Sequence, residues 1–430
     1  MNKNKLSTQP YKGTTDMYPD NLSKREYLFN IWKKVARKFG YEEYDTPLIE
    51  DAQMYRVKSG DEIANKQLFN FIDKGDREVA LRPEMTPSLA RIVAAKKNEL
   101  TFPLRWFNVG RFFRYEKPQK GRTREFYQLN IDLLGVGPVQ PEIEIIMFVM
   151  EVMKELKAPE NTYELKINSR ELFDYFAKYI LDIDSQKKDL LAKAVDNYLK
   201  MSKKDFEEYL EEIGLDKEEV EKTIQYINWD ITNLEKLKDK SKGAKEILQV
   251  LKIVQELGIK QVKFAPYIMR GLAYYTGVVV EMYDIGSKEN PRALFGGGRY
   301  DSLLEIFGKE KIEAFGLGWG DVTTLDYLQT YNLLPEYKVN TEVFITLMDE
   351  SLINETLLLS QYLRSKNINT EVQLTPIKLA KQLKYADKKQ IPWVVVIGEE
   401  EMKKGVVQLK DMVRKETFEI KKEDIIYKVK

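Results

Sequence analysis

The chain has 430 residues, of which 43% are hydrophobic and 32% charged, and its formal net charge is +1 at pH 7. These values are typical of a soluble protein with two or three domains, and any contact with nucleic acid must come from local basic patches. The chain contains no histidine and no cysteine. Disulfides, thiolate zinc sites, cysteine nucleophiles and histidine general bases are therefore excluded.

The N-terminal sequence MNKNKLSTQP lacks the apolar core of a signal peptide, and no apolar run approaches membrane-spanning length. We therefore expect a cytoplasmic protein with no membrane contact.

Ser23 can cap a helix that runs to about Phe39 and ends at Gly40. Apolar residues recur along this helix at helical spacing: Tyr27, Ile31, Trp32, Val35 and Phe39. A strand over residues 41–50 follows, and Pro47 should place it at an edge or an interface.

Two short strands, residues 69–73 and 78–82, precede a motif with two polar acceptors. Glu84 and Thr86 lie two residues apart, and both can accept hydrogen bonds from a substrate ammonium group. Alternatively, Thr86 caps a helix over residues 88–95. Both interpretations can hold at once.

Residues 104–135 predict a β-hairpin with a long, basic loop. The first arm is rich in aromatic and branched residues, and the second alternates from Phe126 to Leu133. Gln128 and Asp132 lie on its polar face. The loop, residues 116–125, contains four basic residues and is too long for a tight turn. Either this is a hairpin with one solvated face, or the loop contacts a polyphosphate or an RNA end.

The rest of the chain predicts further helices and strands. A buried helix is expected over residues 141–156, a strand over 162–167 and a helix over 170–180. Residues 183–257 are rich in lysine and glutamate and predict solvated helices that pack only on each other. Strands are expected over 261–267 and 278–283. From residue 341 strands and helices alternate, which predicts a small α/β domain with a mostly parallel sheet.

Four segments carry a resemblance to a known family. FRYEKPQKGRTREFYQLNIDLLG resembles motif 2 of the class II aminoacyl-tRNA synthetases, in the form found in the histidyl-tRNA synthetase family. LRPEMTPSLAR, RGLAYYTG and GGGRYDSL resemble that family's threonine loop, histidine signature and glycine-rich strand. Residues 23–50 resemble motif 1, which builds the dimer interface, and KLAKQLKYADKKQIPWVVVIGEEE resembles the anticodon-binding domain.

The resemblance implies a fold, an activity and a set of site residues. The fold is an α+β catalytic domain, an antiparallel sheet flanked by helices, with a helical insertion and a C-terminal α/β anticodon-binding domain. Residues 1–182 and 258–333 would form the catalytic domain and 338–430 the anticodon-binding domain. Residues 183–257 would form the insertion, for which contact with the tRNA acceptor arm is the alternative to helices that pack only on each other. The activity is ATP-dependent ligation of histidine to tRNA(His) by a homodimer, with Mg²⁺ bound by carboxylates and phosphates rather than by a separate protein metal site.

The resemblance also assigns roles to individual residues. Catalysis would rest on Arg114 and Arg270. ATP would be bound by Arg114, Glu116, Arg122, Phe126 and Gly318. Histidine would be bound by Glu84, Thr86, Gln128, Asp132, Arg270, Tyr274 and Tyr275. The tRNA would be contacted by Gln119, Lys120, Lys381 and Lys384, although solvated lysines are the commoner explanation of the lysine spacing in the C-terminal domain.

Three positions depart from the family pattern. Asp132 and Ala273 stand where many relatives have Glu and Asp. Asp321 stands where many relatives have the motif 3 arginine, which stacks on adenine near the γ-phosphate, and no arginine occurs between Arg299 and Arg364. The alternative to an active ligase is therefore a catalytically weak regulatory or histidine- and tRNA-binding paralogue. A ligase for another amino acid is opposed by the adjacent Tyr274 and Tyr275.

Overall fold

The computed structural model describes residues 6–56, 66–270, 274–290 and 292–429. The chain forms two compact units, Met1–Pro335 and Glu336–Lys430. Within the described ranges, no helix has the length and apolar character needed to cross a membrane.

The first unit contains eleven strands and eleven α-helices among its described residues. The strands are β1 (Glu42–Glu43), β2 (Ile49–Asp51), β3 (Phe69–Ile72), β4 (Glu78–Leu81), β5 (Leu104–Phe113), β6 (Glu125–Leu134), β7 (Tyr163–Ser169), β8 (Val262–Phe264), β9 (Val278–Asp284), β10 (Ala293–Arg299) and β11 (Ala314–Gly320). The helices are α1 (Pro19–Lys38), α2 (Ala52–Arg56), α3 (Thr86–Lys96), α4 (Gln140–Glu155), α5 (Arg170–Phe176), α6 (Ser185–Asn197), α7 (Lys203–Glu212), α8 (Lys217–Ile227), α9 (Ile231–Leu237), α10 (Lys242–Glu256) and α11 (Asp321–Thr330).

The central sheet has eight strands in the order β1-β5-β6-β11-β10-β9-β7-β8. The six inner strands pair antiparallel, and β1 and β8 add a parallel strand at each edge. A smaller antiparallel sheet has the order β2-β4-β3. The predicted antiparallel sheet and its central hairpin, β5 and β6, are confirmed.

The alternation of β6 assigns its two faces. Leu129, Ile131 and Leu133 pack in the main core with residues of α1, α4, α10 and α11. The opposite face carries Asn130 and Asp132, which are also buried. A second core that includes α3 covers part of that face. The polar face is therefore an enclosed site rather than a solvated surface.

The first helix differs from its prediction in two ways. It begins at Pro19, a residue favoured at the first helical position, and the Ser23 hydroxyl donates to the Asp20 carbonyl oxygen instead of capping. Its apolar side is not available to a second subunit, because Trp32, Val35 and their neighbours are buried in the core of the same chain. The resemblance to motif 1 implies that this segment builds a dimer interface, but the apolar side of the helix cannot form it.

The single strand predicted over residues 41–50 is also wrong. The structure has two short strands here, β1 in the central sheet and β2 in the small sheet. Between them, Asp45 and Thr46 accept hydrogen bonds from Arg82 Nη1, at 2.7 Å to Asp45 Oδ1 and 2.8 Å to the Thr46 carbonyl oxygen. A buried arginine therefore holds the chain out of regular strand geometry just before Pro47.

The lysine- and glutamate-rich segment forms five helices, α6 to α10. Each begins with a side chain that accepts hydrogen bonds from the first turn: Asp184, Ser202, Asp216, Asp230 and Ser241. Such caps contribute about 1 kcal/mol each. The helices do not pack only on each other, since their core includes Phe173 and Phe176 of α5 and Met269.

The second unit contains a five-stranded sheet in the order β13-β12-β14-β15-β16. Its elements are β12 (Val343–Ile345), α12 (Ile353–Ser365), β13 (Thr370–Val372), α13 (Leu379–Lys388), β14 (Trp393–Val396), α14 (Glu399–Lys404), β15 (Val406–Asp411), β16 (Glu416–Lys421) and α15 (Ile425–Val429). β12, β13 and β14 are parallel, whereas β15 and β16 pair antiparallel. The sheet is mixed rather than mostly parallel, because β15 and β16 are joined by a short turn instead of a crossover helix.

Candidate active site

Glycines of β10 and β11 form the floor of the polar cavity. A Cβ on Gly316 would overlap Asp132, one on Gly318 would overlap Gln128, and one on Gly296 would overlap Arg270. A Cβ on Gly298 would lie 2.7 Å from Tyr275 Cδ1. Side chains from β6 and from the segment before β9 therefore lie flat on one glycine-lined surface. The structure brings four of the predicted histidine-binding residues together there.

Asp132 lies at the closed end of this surface. It is 3% exposed and accepts a hydrogen bond from the Tyr300 hydroxyl. Burial raises the pKa of Asp132 to about 7, although the Tyr300 hydrogen bond acts in the opposite direction. Nearby, Gln128 Oε1 is buried and has no hydrogen-bond partner among the described residues. These two groups can pair with the two nitrogens of an imidazole.

Glu84 and Tyr274 form a second polar group on the same side. The buried Tyr274 hydroxyl donates to Glu84 Oε2 at 2.7 Å and also contacts the Thr86 hydroxyl. Glu84 Oε1 is buried and unpaired within the described part of the chain. A free carboxylate oxygen beside two hydroxyls suits a substrate ammonium. Thr86 is the first residue of α3 and does not cap it, so the capping alternative is wrong.

Arg270 lies next to Tyr275 and is held by a carboxylate. Its Nη1 is 2.5 Å from Glu281 Oε1, and its Nε is buried without a partner among described residues. Burial lowers the pKa of Arg270, but Glu281, Tyr275 and Asp196 together outweigh this and raise it above its ordinary value. The Arg270 backbone has a φ of +59°, a conformation that costs free energy in a non-glycine residue.

Arg114 and Phe126 lie at the open end of the sheet. Arg114 Nε donates to the Pro83 carbonyl oxygen at 3.0 Å, and its guanidinium lies 5.2 Å from the centre of the Phe126 ring. Phe126 also packs on Phe112. A flat aromatic ring beside a guanidinium provides a surface for a purine and a phosphate.

The motif 2 loop carries a charged cluster. Arg122 Nε is 2.9 Å from Glu116 Oε2. Lys120 Nζ lies 3.7 Å from Glu289 Oε2, and Gln119 pairs with Arg122 through the backbone. Gln119 and Lys120 are exposed at the loop tip, where a macromolecule can reach them.

Asp321 does not face the cavity. Its Oδ2 is 2.9 Å from Arg25 Nε of α1, and its Oδ1 accepts from the Tyr127 backbone N–H at 2.9 Å. It is fully buried, and burial raises its pKa to about 6, although Arg25 acts to lower it. The residue at the motif 3 arginine position is thus part of the packing behind the sheet.

The remaining predicted residues are placed as follows. Gly318 lies under Gln128 rather than beside the motif 2 loop. Lys381 and Lys384 are exposed on α13 of the second unit. Ala273 lies outside the described residues. Among the described residues, no group of three or more acidic side chains is arranged to hold a metal ion.

Sequence reasoning missed three residues that shape the cavity. Tyr300 bonds Asp132, Glu281 bonds Arg270, and Asp196 of the helical segment lies close enough to influence the same pair. Burial raises the pKa of Asp196, and the Glu281 charge raises it further. Tyr300 follows the glycine run directly, which was the available signal. Nothing local in the sequence indicates Asp196.

Comparison with known proteins agrees with this geometry. A histidyl-tRNA synthetase family model matches residues 13–320, and an anticodon-binding domain model matches residues 342–430. The histidine–tRNA ligase of Leptospira biflexa is 39% identical over 433 aligned residues, covering 100% of this chain and 99% of that protein. The chloroplastic/mitochondrial histidine–tRNA ligase of Arabidopsis thaliana is 34% identical, covering 98% and 86%.

A solved structure shows the same fold. The crystal structure of histidyl-tRNA synthetase from Nostoc sp. superposes with a TM-score of 0.82 at 24% identity, covering 99% of each chain. The family models and the full-length relatives together show that this chain belongs to the histidyl-tRNA synthetase family of aminoacyl-tRNA ligases.

Proposed function

We propose that this chain activates histidine with ATP and transfers it to tRNA(His). A histidine carboxylate oxygen attacks the α-phosphorus of ATP, the bond to the β-phosphate breaks, and pyrophosphate leaves with histidyl-adenylate formed. The tRNA 3′-terminal hydroxyl then displaces AMP. The observation that carries the proposal is a pair of buried acceptors beside Asp132, Glu84 Oε1 and Gln128 Oε1, which have no hydrogen-bond partner among the described residues.

Each polar group at the histidine end has a proposed role. Glu84, Thr86 and the Tyr274 hydroxyl receive the α-ammonium. Gln128 and Asp132 pair with the imidazole nitrogens, and Tyr275 closes the pocket. Because these groups are buried, a substrate that leaves them unpaired is rejected by ~10⁴ or more in favourable cases.

At the nucleotide end, Arg114 binds the α-phosphate, Glu116 receives the adenine amino group, and Phe126 stacks on the ring. Arg270 lies between the two ends, where the carboxylate meets the phosphate. Positioning and charge stabilisation of this kind suffice for phosphoryl chemistry and require no histidine base. Gly318, whose missing Cβ leaves room for the Gln128 side chain, is also proposed to line the ATP site.

Mg²⁺ would accompany ATP rather than occupy a protein cage. The described residues hold no cluster of three acidic side chains, and Mg²⁺ commonly uses one or two carboxylates, phosphates and waters. Glu116 is a carboxylate of the nucleotide end that can contribute one such ligand. The ion would neutralise phosphate charge.

Each segment of the chain has a separate proposed role in the reaction. Residues 1–182 and 258–333 carry adenylate formation, 183–257 form an insertion, and 338–430 bind the anticodon arm through a face that includes Lys381 and Lys384. Gln119 and Lys120 contact the acceptor end. Because charging serves translation, we also propose a cytoplasmic location.

The test is amino-acid-dependent ATP–pyrophosphate exchange with each of the twenty amino acids, followed by charging of tRNA(His). Histidine alone should support exchange. Exchange with a different amino acid would refute histidine as the substrate.

The buried Asp321 favours one second function, a regulatory paralogue that binds histidine without activating it. Histidine binding by calorimetry with no exchange would establish that function instead.

We further propose a homodimer through one face of the small sheet. The register of β2, β4 and β3 places five apolar residues on that face, Ile49, Phe69, Phe71, Val79 and Leu81, with Asp51 at its margin. Ile49 is 50% and Phe71 46% exposed. Apolar side chains that form one continuous exposed face are typical of an interface.

Sedimentation at micromolar concentration tests the dimer. Phe71→Asp should produce monomers, since a charge would be buried against a second apolar face. Ile231→Asp, at a 53% exposed apolar residue of α9, is the matched control and should stay dimeric. A monomeric wild type would refute the assembly.

A further inference from the structure

Arg292 lies at the nucleotide end although no motif of the sequence marks it. It immediately precedes β10. A Cβ on Gly121, at the motif 2 loop tip, would lie 2.9 Å from Arg292 Cδ and 3.5 Å from Thr323 Cγ2 in the first turn of α11. Arg292 and the first turn of α11 therefore both pack against the tip of the motif 2 loop.

The charges around Arg292 do not balance. Glu116 already pairs with Arg122 at 2.9 Å, and no carboxylate of the described residues lies within ion-pair distance of Arg292. Burial lowers the pKa of Arg292, the Arg122 charge lowers it further, and Glu116 only partly offsets this. Two guanidinium groups thus share one carboxylate in a partly enclosed site.

An anion would relieve this excess positive charge. A neutral adenine ring cannot, and a single carboxylate is already present. A phosphate group accepts bidentate hydrogen bonds from guanidinium groups, and a terminal polyphosphate brings enough charge for both arginines. Asp321 cannot serve here, because its carboxylate is buried behind the sheet against Arg25.

We propose that Arg292, together with Arg122, binds the β- and γ-phosphates of ATP and supplies the cation that position 321 does not. The inference rests on the proposed function only in taking ATP as the nucleotide. It also explains how a chain with Asp321 retains a complete nucleotide site: the positive charge comes from the segment before β10 instead of from α11.

Calorimetric titration of the full-length protein with ATP, AMP and pyrophosphate tests the proposal. Arg292→Ala should weaken ATP and pyrophosphate binding by roughly 10–100-fold, the loss expected for charge-assisted hydrogen bonds. AMP lacks the β- and γ-phosphates, so its affinity should stay within about twofold. Arg292→Lys keeps the charge but not the planar fork and should recover only part of the loss.

The matched control is Lys288→Ala, which removes an exposed cation from the same segment and should leave all three affinities unchanged. Histidine affinity and thermal melting of Arg292→Ala verify that the variant is folded. Equal weakening of AMP and ATP, no weakening of either, or a wild type that binds no ATP would overturn the proposal. These titrations need no turnover. A wild type without histidine-dependent exchange therefore defeats the proposed function alone, and normal exchange with unchanged ATP binding in Arg292→Ala defeats this inference alone.

Discussion

At the histidine end of the cavity, Asp132, Tyr274 and Tyr275 are buried. Asp132 and Tyr275 lie against glycines, Asp132 accepts a hydrogen bond from Tyr300, and Tyr274 donates one to Glu84. At the nucleotide end, by contrast, the Arg122 side chain is 42% exposed and pairs with Glu116, the carboxylate that also offsets part of the Arg292 charge. Packing fixes the first end before any ligand arrives. The nucleotide end carries surplus positive charge, which a bound anion must neutralise. We therefore expect the histidine end to determine the selectivity for the amino acid, and the exposed charged side chains of the nucleotide end to determine the affinity for ATP.

The largest expected effect comes from removing the buried carboxylate. Asp132→Ala leaves an imidazole nitrogen unpaired in a closed pocket and should lower kcat/KM for histidine by roughly 10³-fold. The KM for ATP should change little, because the two ends are independent. Steady-state pyrophosphate exchange measures both parameters in one assay. Equal losses of kcat/KM for histidine and for ATP would show that the two ends are coupled and do not act independently.

Asp321→Arg should be the most destabilising change near the nucleotide end. It replaces a buried carboxylate with a cation facing Arg25, and an uncompensated buried charge costs about 3–5 kcal/mol. Urea unfolding measures the loss. The double variant Arg25→Glu with Asp321→Arg restores opposite charges and should regain part of the stability. A stable single variant with tighter ATP binding would mean that position 321 can still face the nucleotide.

Local patterns in the sequence predicted much of the fold but only part of the site. Alternation predicted β6 and its polar face, and helical spacing predicted α4. The same spacing showed that α1 has a buried side, but it could not distinguish a core in the same chain from a second subunit. The pairs Asp132–Tyr300 and Arg25–Asp321 join residues 168 and 296 positions apart. Only the assembled sheet brings them together.

Arg270 lies between the two ends, so variants at this position test whether one residue serves both. Arg270→Ala should slow single-turnover adenylate formation by ~10²–10³ at saturating substrates, since a preorganised donor is lost. Arg270→Lys should recover part of the rate.

Glu281→Gln is the matched control for Arg270, because it breaks the same ion pair and leaves the guanidinium in place. If Arg270 only holds its turn, Arg270→Ala and Glu281→Gln should lose stability alike and keep a near-normal rate. A rate loss confined to the Arg270 variants supports the catalytic role.

The smallest effect expected is a pH dependence that belongs to the histidine end alone. The pKa of Asp132 is about 7 in the folded chain, raised by burial from its ordinary value of 3.8. Between these values the folded chain holds a proton that the unfolded chain releases, so the Asp132 contribution to stability falls as pH rises towards 7.

From pH 5 to pH 7 this loss should be roughly 2 kcal/mol, and Asp132→Asn should remove it. Glu246 and Asp321, whose pKa values are raised to about 7 and about 6, add the same slope to both proteins and cancel in the comparison. Urea unfolding of the ligand-free wild type and variant at both pH values measures the difference. Parallel slopes would show that Asp132 is ionised throughout. In that case the pocket would hold a fixed negative charge for the imidazole instead of a carboxyl group that ionises near neutral pH.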